Sequence, residues 1–337
     1  MSIPSWVEEL LGTEIPADGA RFTANGIRLV REGDILRAEN VISSSQLQTS
    51  QTFAYKWQRR DTFEGAVSEN MRRWLIEKYG HVYRAPWLND YGAHPVLLDA
   101  GCGGGMSCLE LWGPAMGQLR YVGVDISSAV DVARDRFCER GLAGVFIQSD
   151  LQQIPFPEKS VDIIFSEGVL HHTDDTREAL RSVCRYLRPG GRILFYVYKK
   201  KGPIREFTDD YLRERLRGMT PDEAWEALMP LTRLGKVLGE LNLEIEVPEA
   251  IDLLDIPAGG VDIQRLFYWH IFKAYYRPDM TLDELNHVNF DWYTPRNAHR
   301  HTPEQVWAWC SEIGLEIEHE RIEAAGIPII ARKKGAL

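Results

Sequence analysis

The chain has 337 residues, 44% hydrophobic and 26% charged, which is the make-up of a soluble globular protein of two domains or of one large α/β domain with insertions. A formal net charge of −10 gives no general attraction to polyphosphate and argues against a nucleic-acid partner, and no apolar run reaches the roughly 18 residues of a membrane span. Five cysteines, odd in number and without C-x-x-C spacing, predict reduced thiols, no metal site and, with a start that lacks a basic leader, a cytoplasmic protein.

Residues 1–80 open the chain with little evident chemistry. Trp6 to Leu11 suits a short helix, and 26–30 and 34–37 suit two strands across a turn. The stretch 51–63 then mixes rings and cations, among them Tyr55, Trp57, Arg59 and Arg60, before a helical run over 71–79 closed by Gly80. From 81 to 198 strands and helices alternate. Strands are predicted near 96–100, 120–125, 143–149, 161–166 and 191–198, with helices such as 127–139 and 175–187 between them. That alternation means a parallel sheet covered on both faces. Residues 199–300 break the pattern with Lys199-Lys-Lys-Gly-Pro203 and with Pro221, Pro230, Pro248, Pro257 and Pro278 among its later residues, and helices are expected near 205–217, 221–242 and 261–276. Residues 301–337 return to it, with a helix capped by Thr302 and closed by Gly314 and a final strand pair, one strand antiparallel.

The stretch Val96-Leu97-Leu98-Asp99-Ala100-Gly101-Cys102-Gly103-Gly104-Gly105 stands at the centre of this plan. Its apolar residues read as a buried strand, and the glycines let the main chain turn tightly and meet a ligand with no Cβ between them. A helix starting at Met106 offers unpaired N–H groups just behind the loop. Spacing decides among nucleotides. The dinucleotide fingerprint G-x-G-x-x-G fails, because Met106 holds its last position, and no G-x-x-x-x-G-K-[ST] run occurs. Asp125, at the end of the strand-like run 121–125, is placed to grip the two ribose hydroxyls of an adenosine.

Five segments then fall in order: Asp99-Ala-Gly-Cys-Gly-Gly-Gly105, Val122-Gly-Val-Asp125-Ile126-Ser, Ser149-Asp150-Leu151, Phe165-Ser166-Glu167-Gly-Val-Leu-His171-His172 and Leu187-Arg-Pro-Gly-Gly191. Together they resemble the motifs of class I S-adenosylmethionine-dependent methyltransferases, closely over 96–198 and more loosely over 302–332. The resemblance implies a Rossmann-like α/β sheet, mostly parallel with the last strand antiparallel, an N-terminal segment before it and a helical insertion after the fifth strand. It implies S-adenosylmethionine as cofactor, touched by Asp99, Gly101, Gly103, Gly105, Asp125, Ile126, Asp150, Leu151 and Ser166, with Asp150 accepting from the adenine amino group. It makes 51–63 a lid whose Tyr55 and Trp57 wall the donor, where a ring face stabilises a sulfonium by about 0.5–2 kcal/mol. It makes 199–300 a cap over a small-molecule acceptor. The strand pattern near 26–37 resembles the zinc-ribbon-like segment of some relatives, but the metal cysteines are missing.

Methyl transfer is an in-line displacement that needs alignment first, and a base only when the acceptor must lose a proton. Glu167 is the leading candidate for a base beside the methyl, with His171 and His172 shaping the pocket or serving in its place. In the insertion, the aromatic run 266–276 with Tyr268, then Trp292, suits either core or an aromatic substrate. Arg296, His299, Arg300 and His301, with Arg59 and Arg60, suit a carboxylate or phosphate on the acceptor. Oxygen, nitrogen and carbon methylation all stay open, carbon methylation of a prenyl diphosphate among them. So do a tRNA-modifying enzyme, which the acidic chain opposes, a non-catalytic cofactor-binding partner, and self-association.

Overall fold

The computed structural model describes residues 3–39, 42–58 and 66–335, so Arg59 and Arg60 lie outside the described residues. Helix α1 (Trp6–Leu11) leads into three short strands, β1 (Arg21–Ala24), β2 (Ile27–Glu32) and β3 (Ile35–Ala38). Asn25-Gly26, both at positive φ, makes the tight turn that pairs β1 with β2 antiparallel. Helices α2 (Ser44–Gln58) and α3 (Ala66–Tyr79) follow. The alternating unit comprises β4 (Val96–Ala100), α4 (Met106–Trp112), β5 (Arg120–Asp125), α5 (Ala129–Glu139), β6 (Val145–Gln148), β7 (Val161–Glu167), α6 (Thr176–Cys184) and β8 (Leu187–Tyr198). The insertion carries α7 (Pro203–Leu216), α8 (Pro221–Glu240), a hairpin of β9 (Glu244–Val247) and β10 (Gly259–Asp262), α9 (Ile263–Leu266) and α10 (Leu282–Tyr293). Helix α11 (Pro303–Ile313) and strands β11 (Leu315–Glu320) and β12 (Gly326–Lys333) close the fold.

One sheet organises all of this, in the order β1-β2-β3-β6-β5-β4-β7-β8-β12-β11. Strands β3, β6, β5, β4, β7 and β8 are parallel, and β12 runs antiparallel between β8 and β11. The mostly parallel α/β sheet with an antiparallel strand at its end is therefore present. Successive residues of each strand face opposite layers: Leu98, Val122, Val145 and Ile164 enter one core, while Leu97, Tyr121, Phe146 and Ile163 enter the other. The chain leaves β4 toward β5 on one side and later places β7 on the other, so the ends of β4, β5 and β7 frame a switch-point crevice.

Two regions differ from the sequence reading. Residues 21–38 make three strands instead of two, and β3 docks parallel to β6, so they lengthen the main sheet rather than stand as a ribbon before it. The helix expected over 261–276 stops early: α9 passes into a π-helical turn at Phe267–Ile271, and Phe272 is extended. The strap beyond it is tied by side chains. Lys273 N donates to the Tyr293 hydroxyl at 2.8 Å and Tyr275 N to Asn289 Oδ1 at 3.0 Å, so tertiary acceptors replace helical ones. Helix α10 stands outside the three helices expected of the insertion, and Thr281 and Glu284 form a full capping box at its start. It is locked to α8 by a buried network in which Thr232 Oγ1 donates to Asn286 Oδ1 (2.6 Å) and accepts from Asn289 Nδ2 (2.8 Å). Among the described residues no helix is long and apolar enough to cross a membrane.

Candidate active site

The strand ends, the two N-terminal helices and the insertion enclose one cavity of about 1090 Å³. Its floor is the loop after β4. Gly101, Gly103 and Gly105 have φ of +85°, +50° and +74°, the left-handed region that side chains resist, and the loop is pinned as Gly101 N and Cys102 N both donate to Val124 O (2.7 and 3.0 Å). A Cβ on Gly103 would stand 2.5 Å from Nε1 of Trp57, so bare main chain is what lets helix α2 pack against the loop. Gly105 does not line the cavity; a Cβ there would press on Ala133 and Phe137 at 3.3 Å, so this glycine serves helix packing.

Asp125 and Asp150 enter the cavity from the ends of β5 and the turn after β6. Asp125 Oδ2 accepts from Gly103 N at 2.9 Å, and Oδ1 from the Ser127 N–H and hydroxyl at 2.8 and 2.6 Å, which fixes the carboxylate while leaving lone pairs toward the space. Burial pushes the carboxyl above its ordinary value against the pull of those donors. Asp150 accepts from Gln152 N at 2.7 Å, and burial raises it too. Ile126 and Leu151 line the same end.

The middle of the cavity is bordered by Glu167, His172, Tyr196 and Tyr198. Glu167 is held from α3: its Oε1 takes the Lys78 ammonium and its Oε2 the Tyr79 hydroxyl at 2.6 Å. Lys78 is fully buried, with its Nζ 3.1 and 3.4 Å from the ring centroids of Trp74 and Tyr196. Burial lowers it to about 8 despite the carboxylate beside it. His172 Nδ1 donates to Asn297 O at 2.6 Å, and burial lowers the ring to about 4. The imidazole is thus neutral, with its lone pair on Nε2.

The far wall comes from the insertion. Tyr268, Trp269, Tyr275 and Trp292 supply rings, and Lys201, Arg205, Arg265, Lys273 and Arg277 supply cations. Lys56 of α2 reaches across to Asp291 at 2.7 Å, which ties α2 to α10. Burial alone would raise Asp291, but the Lys56 ammonium outweighs it and holds the carboxyl below its ordinary value.

Several residues expected at the site stand elsewhere. The Asp99 carboxylate accepts from the Tyr121 hydroxyl at 2.8 Å inside the core, where burial raises it to about 7, and it does not reach the cavity. Ser166 donates to Ala100 O at 2.9 Å and stitches β7 to β4. Tyr55 points out of the cavity, its hydroxyl donating to Asp222 at 2.6 Å. His171 is buried against Tyr198 with ring centroids 3.7 Å apart, and burial holds it far below its ordinary value. The basic run after α10 also misses the cavity, because it fastens the insertion to the sheet beside β8. Arg296 N donates to Gln48 at 2.9 Å, and Arg300 is paired with Glu206 and Asp210 at 2.7 and 2.6 Å. The His299 and His301 rings rest on Thr173 O (3.1 Å) and Thr176 Oγ1 (2.9 Å). Trp57, Gly101, Gly103, Asp125, Ile126, Asp150, Leu151, Glu167, His172, Tyr268 and Trp292 do line the cavity. The reading missed Lys78, Lys201, Arg205, Arg265 and Lys273. Lys201 lies in the triple lysine that opens the insertion, and Lys273 is the lone lysine or arginine inside the aromatic run.

Residues 98–195 match the family described as "Methyltransferase domain". The ubiquinone/menaquinone biosynthesis C-methyltransferase of Pseudomonas putida is 33% identical over 144 residues, 42% of this chain and 52% of that one. The 27-O-demethylrifamycin SV methyltransferase of Amycolatopsis mediterranei is 33% identical over 100 residues, 29% of this chain and 36% of the other. The chain thus spans about half or less of the length of the curated relatives it matches. The structure of magnesium protoporphyrin IX methyltransferase from Synechocystis with bound SAH has a TM-score of 0.48 at 13% identity, over 86% of this chain and 100% of that one.

Proposed function

Through residues 98–195 the chain belongs to the S-adenosylmethionine-dependent methyltransferases, and from that premise we propose that it methylates a small molecule held under its insertion. The observation that carries this reading is the single cavity that runs from the glycine loop, Asp125 and Asp150 to a ring-lined wall of the insertion. S-adenosylmethionine, when bound, supplies a methyl group already activated by its sulfonium charge. The residues that would hold it are the Gly101–Gly103 main chain, Asp125 with Ile126, and Asp150 with Leu151. They fit, since Gly101 and Gly103 present no Cβ to the cavity and Asp125 keeps lone pairs free for hydroxyl donors.

The protein's own contribution is alignment, for which proximity and orientation supply up to about 7–11 kcal/mol. His172 sits at about 4, and Glu167 has committed both oxygens to Lys78 and Tyr79. In this reading Glu167 is a fixed negative charge beside the methyl end, and His172 shapes the opening toward the acceptor. Calorimetric titration with S-adenosylmethionine, then labelled-methyl transfer over a panel of small metabolites, tests the proposal. Stoichiometric binding that Asp125→Ala abolishes, with transfer to at least one acceptor, is the expected result. Binding with no transfer to any acceptor would leave a cofactor-holding partner instead.

A further inference from the structure

The insertion's wall of the cavity holds positive charge that its own carboxylates do not match. Two cations there are paired, Arg205 with Asp209 and Arg277 with Asp279, both at 2.9 Å, and Asp291 is taken by Lys56 of α2 at 2.7 Å. Lys201, Arg265 and Lys273 line the same wall and, among the described residues, meet no carboxylate at ion-pair distance. Lys201 Nζ donates to the main-chain oxygens of Lys199 (2.7 Å) and Ala325 (2.9 Å), and Arg265 gives one N–H to Tyr276 O at 3.3 Å. Among the described residues the Lys273 ammonium, 8% exposed as a residue, has as its partner the face of Trp292, 4.5 Å from its centroid. Lys201 lies 5.8 Å from that same centroid, and Arg265 is 5.5 Å from the ring of Tyr268. Burial lowers both lysines to about 7, the cost of enclosing a cation without a counter-charge.

An enclosed cation facing open space calls for an anion from outside the chain. A ring beside it offers a flat contact for the body that carries that anion. We propose that Lys273, Lys201 and Arg265 form an anion subsite for the acceptor, which receives a carboxylate or phosphate borne on a planar, ring-containing molecule stacked near Trp292 and Tyr268. This rests on the reading of the cavity as a methyltransferase site, and it moves the anion-binding role from 296–301 to the wall formed by residues 201–273.

Equilibrium titrations of the full chain with benzenesulfonate and with its uncharged isostere benzenesulfonamide test it, in the presence of saturating S-adenosylhomocysteine. The sulfonate is expected to bind about tenfold or more tighter than the sulfonamide. Lys273→Met and Lys201→Met should each weaken the sulfonate about tenfold, with Lys273→Arg restoring most of the loss and S-adenosylhomocysteine affinity unchanged as the check on folding. Equal affinity for the two probes, or full sulfonate binding by both methionine variants, would overturn the subsite. If S-adenosylhomocysteine fails to bind while the sulfonate preference and its lysine dependence persist, the subsite stands and the methyltransferase reading falls.

Discussion

The two ends of the cavity are built on different principles. At the strand ends the contacts are main chain and two carboxylates, all within 101–151, and each sits where a parallel strand stops. At the insertion they are long side chains drawn from the turn after β8, from α7, from the strap beyond the π-helical turn and from α10. The first end is fixed by local geometry that spacing encodes. The second exists only once α8, α10 and the strap are locked by Thr232, Asn286 and Asn289. One end is thus suited to an invariant ligand. The other is free to change its ligand by exchanging single side chains.

The largest expected effect comes from the post between the two ends. Lys78→Met leaves the enclosed Glu167 carboxylate without its cation and should cost about 3–5 kcal/mol of stability by denaturant titration. Glu167→Gln in the same chain should return part of that loss, and additive losses in the double variant would mean that the two side chains do not act as a pair.

Next is the separation of the ends themselves. Asp125→Ala removes charge-assisted bonds of about 1.5–3 kcal/mol each and should weaken S-adenosylhomocysteine about 100-fold or more, with sulfonate binding at the insertion little changed. A loss at both ends would show that they are not independent.

A pH series sharpens the contrast further. Lys201 and Lys273, lowered to about 7 by burial, are charged below that value and neutral above it, so an anion should bind best in mild acid and loosen as pH rises through 7. Benzenesulfonate keeps its charge throughout, and its affinity should fall roughly tenfold between about pH 6.5 and about pH 8.5. Lys201 is raised by Asp209 and Glu206 and lowered by Arg205 and Lys273, and Lys273 is raised by Asp291 and Asp209 and lowered by Arg205 and Arg213. A flat profile would remove the lysines from the contact. The smallest effect is expected at the rim, where Tyr55→Phe deletes one exposed bond to Asp222 and should change donor or acceptor binding by no more than about 1 kcal/mol.

The same contrast explains what could be read in advance. The strands on either side of the glycine loop, the loop itself and Asp125 follow from apolar runs and acid positions that act over a few residues, and the sequence carries them openly. Asp99 and Ser166 sit in the right motifs but turn into the core toward Tyr121 and Ala100, and no spacing rule distinguishes a side chain facing a ligand from one facing a neighbouring strand. The cluster 296–301 looked like an anion site because its charges are adjacent in sequence. Its acids, Glu206 and Asp210, lie 90 or more residues away on α7 and neutralise Arg300. Lys201 and Lys273 become neighbours only through the fold of the insertion. Helix α10 was legible, since Thr281-Leu-Asp-Glu284 spells a capping box, but the dense aromatic run before it masked the start signal.

The claim beneath all of this is that a donor at the strand ends faces an acceptor under the insertion within one enclosed space. A crystal structure of the chain with S-adenosylhomocysteine tests it most directly. The account predicts the adenosine against Asp125 and Asp150, with the sulfur beside Glu167 and His172 and open toward Tyr198 and Trp292. A ligand bound outside that cavity, or one whose sulfur turns away from the ring-lined wall, would contradict it.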